Sequence, residues 1–390
     1  MRKYKLSELF DLQMGKTPSR DNPEYWDNVS HSWISIADMT ANGKYITNTK
    51  EKITDLAVYE TGIKPIFHGT VIMSFKLSVG KVAIVQTGEN KVYSNEAIMA
   101  FEVRDDLPDN ILIRNDYVYY LLSSLNFDNM GNKAVMGKTL NRGIISNTEV
   151  SLHNLEKQSE IVYVLDKVSK LIDLRNKQLQ KLDELVKARF VEMFGDPVKN
   201  TMNWSCKPLN DVCDGIGDGL HGTPEYDDFG TYPFINGNNL INGRIVVSSV
   251  TKMVSEDTYN RHFINISENA ILISINGTLG KLAFYNGEKV MLGKSTCYCN
   301  LKSNINKIFV YGVMKSDAFA GFLENSSTKS TIKNVGLKAM REYKLILPPM
   351  ELQEQFATFV KQIDKSKLTI QKSLEKLETL KKALMQKYFG

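Results

Sequence analysis

The stretch LEKQSEIVYVLDKVSKLIDLRNKQLQKLDELVKARFVEMFG, residues 155–195, constrains this chain more than any other. Its apolar residues Leu165, Val168, Ile172, Leu179, Leu182, Val186 and Met193 recur on a three-and-four-residue rhythm, and Arg175 and Arg189 fall on the same seam. No Gly or Pro interrupts the run before Gly195, and Asp-Pro at 196–197 ends it. The pattern predicts one long amphipathic helix with a coiled-coil seam. At about 1.5 Å per residue, some 38 residues make a rod of roughly 57 Å, too long for the core of one ordinary domain. A near-copy, LQEQFATFVKQIDKSKLTIQKSLEKLETLKKALMQKYFG, occupies 352–390.

The echo belongs to a larger duplication. In the helical parts an offset of 195 aligns Glu156 and Gln158 with Glu351 and Gln353, Ala188 with Ala383, and Phe194-Gly195 with Phe389-Gly390. Between the helices an offset of 200 aligns Asn42-Gly43-Lys44 with Asn242-Gly243-Arg244, Tyr59 with Tyr259, Ser74 with Ser274, and Gly80-Lys81 with Gly280-Lys281. A repeat this long means two domains, not a solenoid. Four blocks follow: globular at 1–150, helical at 151–197, globular at 198–347 and helical at 348–390.

Each globular block reads as α/β with much strand. Residues 69–88 and 269–287 hold β-branched runs split by glycines. Residues 115–125 and 308–323 read as short helices, and the polar tracts 131–143 and 325–336 read as loops before the strand entering each long helix.

The net charge of +5 argues weakly for nucleic acid, because residues 361–390 alone hold eight Lys against one Asp and two Glu. A charge run on a helix is usually a solvated face. No apolar span is long enough for a bilayer and no signal-peptide pattern opens the chain, so a cytoplasmic protein with no membrane contact is expected. Cys206, Cys213, Cys297 and Cys299 show no disulfide-framework spacing.

The search for catalytic or metal chemistry fails at each step. Gly215, Gly217, Gly219 and Gly222 imitate a cofactor loop, but Thr223-Pro224 and an acidic tract follow where a helix is required, and a flexible loop is expected. Asn22-Pro23-Glu24-Tyr25 reads as a turn. Cys297-Tyr298-Cys299 has no partner pair for a metal and reads as buried thiols on a strand. The histidines are scattered, and no active site, metal site or bound cofactor is expected.

Binding chemistry remains, delivered twice. The first half offers Lys16, Thr17, Asn42, Lys44, Lys76, Lys81, Lys138, Asn141 and Arg142. The second offers His221, Thr223, Asn236, Asn238, Asn239, Arg244, Asn276, Lys281, Lys329, Lys333 and Asn334. Such side chains suit phosphate positioning and base-edge hydrogen bonds. They also populate any exposed loop, so a protein-binding scaffold of two modules on a coiled coil stands as the alternative. Tyr45, Phe75 and Tyr285 are read as core before contacts.

The combination resembles the DNA-specificity subunit of type I restriction–modification enzymes. The resemblance rests on LSELFDLQMGKTPSRDNPEYW (6–26) with SWISIADM (32–39), repeated as GTPEY (222–226) with YPFINGNNL (232–240). It extends to LHNLEKQSEIVYVLDKV (152–168) and LPPMELQEQFATFVKQID (347–364), similar to that family's Pro-Pro-x-x-x-Q helix entries. His153-Asn154 stands in the first helix where the second has Pro348-Pro349.

The resemblance implies two tandem target-recognition domains separated and followed by long helices that form an antiparallel intramolecular coiled coil. It implies a non-catalytic prokaryotic subunit bound to double-stranded DNA, two methyltransferase (modification) subunits and, in the full complex, restriction subunits. S-adenosylmethionine, ATP and Mg2+ belong on those partners. The half-sites should differ, separated by at most about 17 base pairs, with Arg175 and Arg189 facing Lys367, Lys381 or a partner's carboxylates.

Overall fold

The computed structural model describes residues 2–27, 30–89, 91–127, 132–134, 137–197 and 199–390. Among them the chain forms two compact units, 1–175 with 373–390, and 176–372. Each unit therefore joins one globular segment to part of both long helices, which run Leu155–Phe194 and Met350–Phe389.

In the first unit, Phe10–Met14, Ile98–Val103, Val71–Ser74, Val82–Val85 and Tyr45–Ile46 are successive strands of one sheet. A second sheet orders Trp26–Asp27, Glu51–Ile53, His31–Ile34, Lys91–Ser94 and Ile66–Phe67. Strand Arg2–Lys5 pairs antiparallel with Glu149–Leu152, so the start of the segment is closed onto its end. Helix Asn115–Ser124 covers the first sheet, burying Tyr117, Val118, Tyr120, Leu121 and Leu122.

The second unit repeats this plan. Cys213–Asp218, Thr296–Leu301, Ala270–Ser274 and Leu282–Phe284 follow the first sheet's order, and Ser205–Pro208 closes on Lys344–Leu347. The covering helix is Lys307–Met314, which buries Phe309, Val310, Val313 and Met314. The single helix expected over 308–323 is two helices, because Ser316 caps a new one, Asp317–Ser326, by accepting from the Phe319 N–H.

Buried glutamines lock the long helices to their segments. Gln158 accepts from the Arg114 N–H at 3.0 Å and donates to the carbonyls of Leu112 and His153, both at 2.8 Å. Gln353 accepts from the Asn306 N–H at 3.1 Å and donates to the Pro348 carbonyl at 2.8 Å. Arg114 and Asn306 are the N-cap residues of the two covering helices, so each glutamine satisfies a donor that the helix start leaves open.

Within each unit the long helices meet antiparallel. In the first, Ile161, Val162 and Leu165 share a core with Leu384, Met385, Tyr388 and Phe389. In the second, Val186, Phe190, Met193 and Phe194 share a core with Leu352, Phe356 and Val360. The expected seam is the buried one: Leu165 and Val168 are buried, and Ile172, Arg175, Leu179, Leu182, Val186, Arg189 and Met193 are half-buried. The ion pairing differs from expectation. Lys367 reaches Asp183 at 2.6 Å, and Arg189 pairs with Glu192 of its own helix at 2.8 Å.

Two tracts expected as loops are strands. Residues 215–218 lie in strand Cys213–Asp218, antiparallel to Thr296–Leu301. Gly217 and Gly219 answer a packing demand, since a Cβ on Gly217 would meet the Tyr298 phenol at 2.7–2.9 Å, and one on Gly219, just past the strand, would meet the Leu292 carbonyl at 2.1 Å. In the tract 131–143, Asn132–Ala134 and Gly137–Thr139 pair antiparallel.

Candidate nucleic-acid interface

The two halves carry the same tight turn. Ser74 Oγ accepts from the Lys81 N–H at 3.0 Å and donates to the Ser78 carbonyl; the Gly80 N–H donates to the Ser74 carbonyl at 2.8 Å. Two hundred residues later, Ser274 Oγ accepts from the Lys281 N–H at 2.8 Å and donates to the Thr278 carbonyl at 2.6 Å, with Gly280 N–H to Ser274 at 2.9 Å. Gly80 and Gly280 have φ of 88° and 77°, which explains the repeated Gly-Lys.

A second segment docks on each turn in one register. Strand Lys76–Leu77 pairs with Gly137–Thr139, placing Leu77 opposite Lys138 and Lys76 opposite Thr139. In the second half Asn276 bridges Asn334, and the Gly277 N–H donates to the Lys333 carbonyl at 2.9 Å. Val335 N–H to the Ile275 carbonyl repeats Leu140 N–H to Phe75, both at 2.9 Å. Each unit thus presents a two-segment ladder at the rim of its main sheet. The side chain of Lys138 lies outside the described part.

The ladder gathers Lys76, Asn276, Lys333 and Asn334 among the expected contact residues. Lys76 Nζ lies 5.3 Å from the Phe75 ring, Asn276 donates to Asn334 Oδ1 at 3.2 Å, and Lys333 pairs with Glu324. Lys329 is exposed on the same loop. Lys81 donates to Thr40, and Lys281 to Asn238 at 3.4 Å. His221 is exposed and held by Asp218 at 2.8 Å; Thr223 and Arg244 are also exposed.

Other expected contacts are committed to the fold. Asn42 closes a turn, accepting from Thr47 N–H and Oγ1 at 3.1 Å and donating to the Asp38 and Asn48 carbonyls. Lys44 pairs with Asp166 of the first long helix, with its ammonium 4.7–5.2 Å from the rings of Tyr45, Tyr119 and Tyr120. Burial first, and then the hydrogen bond to Asp166, push the Tyr120 phenol well up. Asn141 caps helix Arg142–Asn147, and Arg142 donates to the Leu12 carbonyl at 3.1 Å. Lys16 donates to the Thr61 carbonyl at 2.7 Å and Thr17 to Glu96. Asn236 accepts from Ser295 at 3.0 Å, while Asn239 caps the Asn236 N–H and donates to Val246 and Thr251.

Among the described residues, no group of three or more His, Cys, Asp or Glu could hold a metal ion. Cys297 and Cys299 lie fully buried on one strand, where hydrogen bonds with the thiols of Cys213 and Cys297, and burial, hold the Cys299 thiol well above its ordinary range. No helix among the described residues is long and apolar enough to cross a membrane.

This duplicated plan is also found in solved structures. The chain matches the type I restriction–modification S subunit from M. genitalium with a TM-score of 0.54 at 14% identity, covering 100% of this chain and 96% of that one. A chain from a type I restriction–modification system, solved for its complex assembly and conformational transition, matches at 0.59 and 16% identity, covering 99% and 96%. The fold is thus that of the specificity subunits.

The family model described as the type I restriction modification DNA specificity domain matches residues 1–184 and again 202–382, and the chain belongs to that family. It is a sequence-reading DNA-specificity subunit with two target-recognition domains. The MjaIX specificity subunit of Methanocaldococcus jannaschii is 23% identical over 412 aligned positions, which cover 98% of this chain and 91% of the relative. The EcoR124I/EcoR124II specificity subunit of Escherichia coli is 26% identical over 197 positions, 46% of each chain.

Proposed function

We propose that this chain binds a bipartite, asymmetric DNA target, one half-site per globular segment. It positions two methyltransferase subunits, and restriction subunits where the full complex forms, for adenine-N6 methylation or for cleavage. The chain itself is non-catalytic, and S-adenosylmethionine, ATP and Mg2+ act on the partners. The observation that carries this reading is the repeated ladder, built on one backbone register in both halves but with different side chains. Equal frames with unequal residues suit two unlike half-sites, as symmetric frames suit palindromes. Adenine N6 lies inside the duplex, so the base is flipped into a partner's pocket while this chain holds the register.

Single-molecule methylome sequencing of a strain with and without the gene tests the reading. The expected result is loss of one bipartite adenine motif on deletion, and an unchanged methylome would overturn it. For the assembled complex, DNA affinity should fall steeply with salt, which a protein-binding scaffold would not show. Purified chain with S-adenosylmethionine alone should leave DNA unmethylated.

A further inference from the structure

We propose that Leu77 and Ile332 are specificity-determining residues, each making an apolar contact to a thymine methyl group in one half-site. The inference rests on the DNA-reading function above and adds the residues and the base feature they read.

Four non-glycine residues among those described have positive φ, and three are Asn, which tolerates that conformation. The fourth is Leu77, at φ 65°. Its counterpart in the second half is Gly277 at φ 75°, so the turn favours glycine and the first half carries leucine instead. Leucine brings no burial in return: Leu77 is 59% exposed and belongs to none of the buried clusters. A strained backbone holding an exposed aliphatic side chain points to a task outside the fold.

The second half has its exposed aliphatic residue on the facing segment. Ile332 is 63% exposed and adjoins Lys333, whose carbonyl receives the Gly277 N–H. Its backbone is fixed, since the Ile332 carbonyl accepts from Ser330 Oγ at 2.6 Å and the Thr328 N–H donates to the Asn334 carbonyl at 3.0 Å. In both halves one aliphatic group stands beside a lysine on the rim ladder, Lys76 or Lys333, and the exposed ion pair of Lys333 with Glu324 is weak enough to give way to phosphate. A cation to set register on phosphate and an apolar group against a base edge is a groove-reading pair. The apolar feature of the major groove is the thymine C5-methyl.

The test uses the full chain assembled with its methyltransferase subunit and a duplex carrying the methylated motif, with each thymine replaced in turn by deoxyuridine. Deoxyuridine keeps the hydrogen-bonding face and lacks only the methyl. For the wild type, one replacement in each half-site should weaken binding about 3–10-fold. Leu77→Gly should bind the unmodified duplex as weakly as the wild type binds the deoxyuridine duplex. It should also ignore that replacement while remaining sensitive in the other half-site, and Ile332→Ala should show the mirror result.

Indifference of the wild type to every replacement, or retention of full deoxyuridine sensitivity by both variants, would overturn the proposal while leaving the DNA-reading function standing. A wild-type complex with no sequence preference would remove that function, and the proposal with it. A melting temperature lowered by more than about 4 °C in Leu77→Gly would mark Leu77 as structural and also overturn it.

Discussion

Gln158 and Gln353 are the residues on which each unit's assembly most visibly turns. Each is almost fully buried and spends its amide on main-chain groups of the adjoining segment. Replacing either with Leu leaves a buried N–H and at least one carbonyl without partners, a cost of about 2–4 kcal/mol. Chemical denaturation of Gln158→Leu and Gln353→Leu should register that loss, each in its own unit. Glu102 is the opposite case. It stands directly across the sheet from Asp11, its Oε1 is buried without a hydrogen-bond partner, and burial, then Asp11 and Asp105, raise its pKa. A carboxyl raised in the folded state costs stability at neutral pH, and the cost disappears as pH falls below the ordinary carboxyl range. Glu102→Gln should therefore stabilise the protein by about 0.5–1 kcal/mol at pH 7. In thermal melts that gain should shrink toward zero near pH 4.

At the scale of elements, the covering helices show how one plan is packed in two ways. Aligned from their N-caps, Tyr117-Val118-Tyr119-Tyr120 corresponds to Phe309-Val310-Tyr311-Gly312. The fourth position decides the fit. A Cβ on Gly312 would come within 2.9–3.0 Å of the Phe190 ring and 3.3 Å of Phe356. In the first unit Tyr120 fills that place and reaches Asp166, and the helix end beside it brings Met385 in place of Phe190. Ring volume is thus supplied by the covering helix in one unit and by the long helix in the other. Gly312→Tyr should cost about 2–3 kcal/mol through overpacking, and Phe190→Ala in the same chain should recover part of it. A double-mutant cycle in urea measures the recovery.

At the scale of the molecule, each core is completed by the end of a helix that starts elsewhere in the chain. Tyr388 and Phe389 lie against residues of the first unit: Lys157 Nζ is 5.6 Å from the Tyr388 ring, and the Phe389 ring is 5.5 Å from Tyr117. Phe190 and Phe194 do the same in the second unit with Phe309 and Phe356. Removing residues 384–390 should therefore loosen the first unit, although the cut lies at the far end of the sequence. Hydrogen exchange should accelerate over 115–124 and 155–168, with 307–314 still protected.

The long helices, their seam and the tandem order were legible in the sequence because period and repetition are local properties of a string. The repeated Ser and Gly-Lys positions were legible as matches too, but the tight turn they build, with glycine at positive φ, came only from the structure. The contact surface was less legible, because Asn and Lys look alike in a list whether they face water or close a turn. Asn42, Lys44, Asn141 and Asn239 proved to be turn, ion-pair and cap residues, and Gly217 and Gly219 proved to be spacing for Tyr298 and Leu292. Leu77 carried no signal, since neither its backbone angle nor its exposure can be read from residue type. Sequence alone determined that this chain is two recognition units on two long helices. Only the tertiary structure decided which side chains the fold consumes, because that depends on which distant main-chain groups each side chain meets.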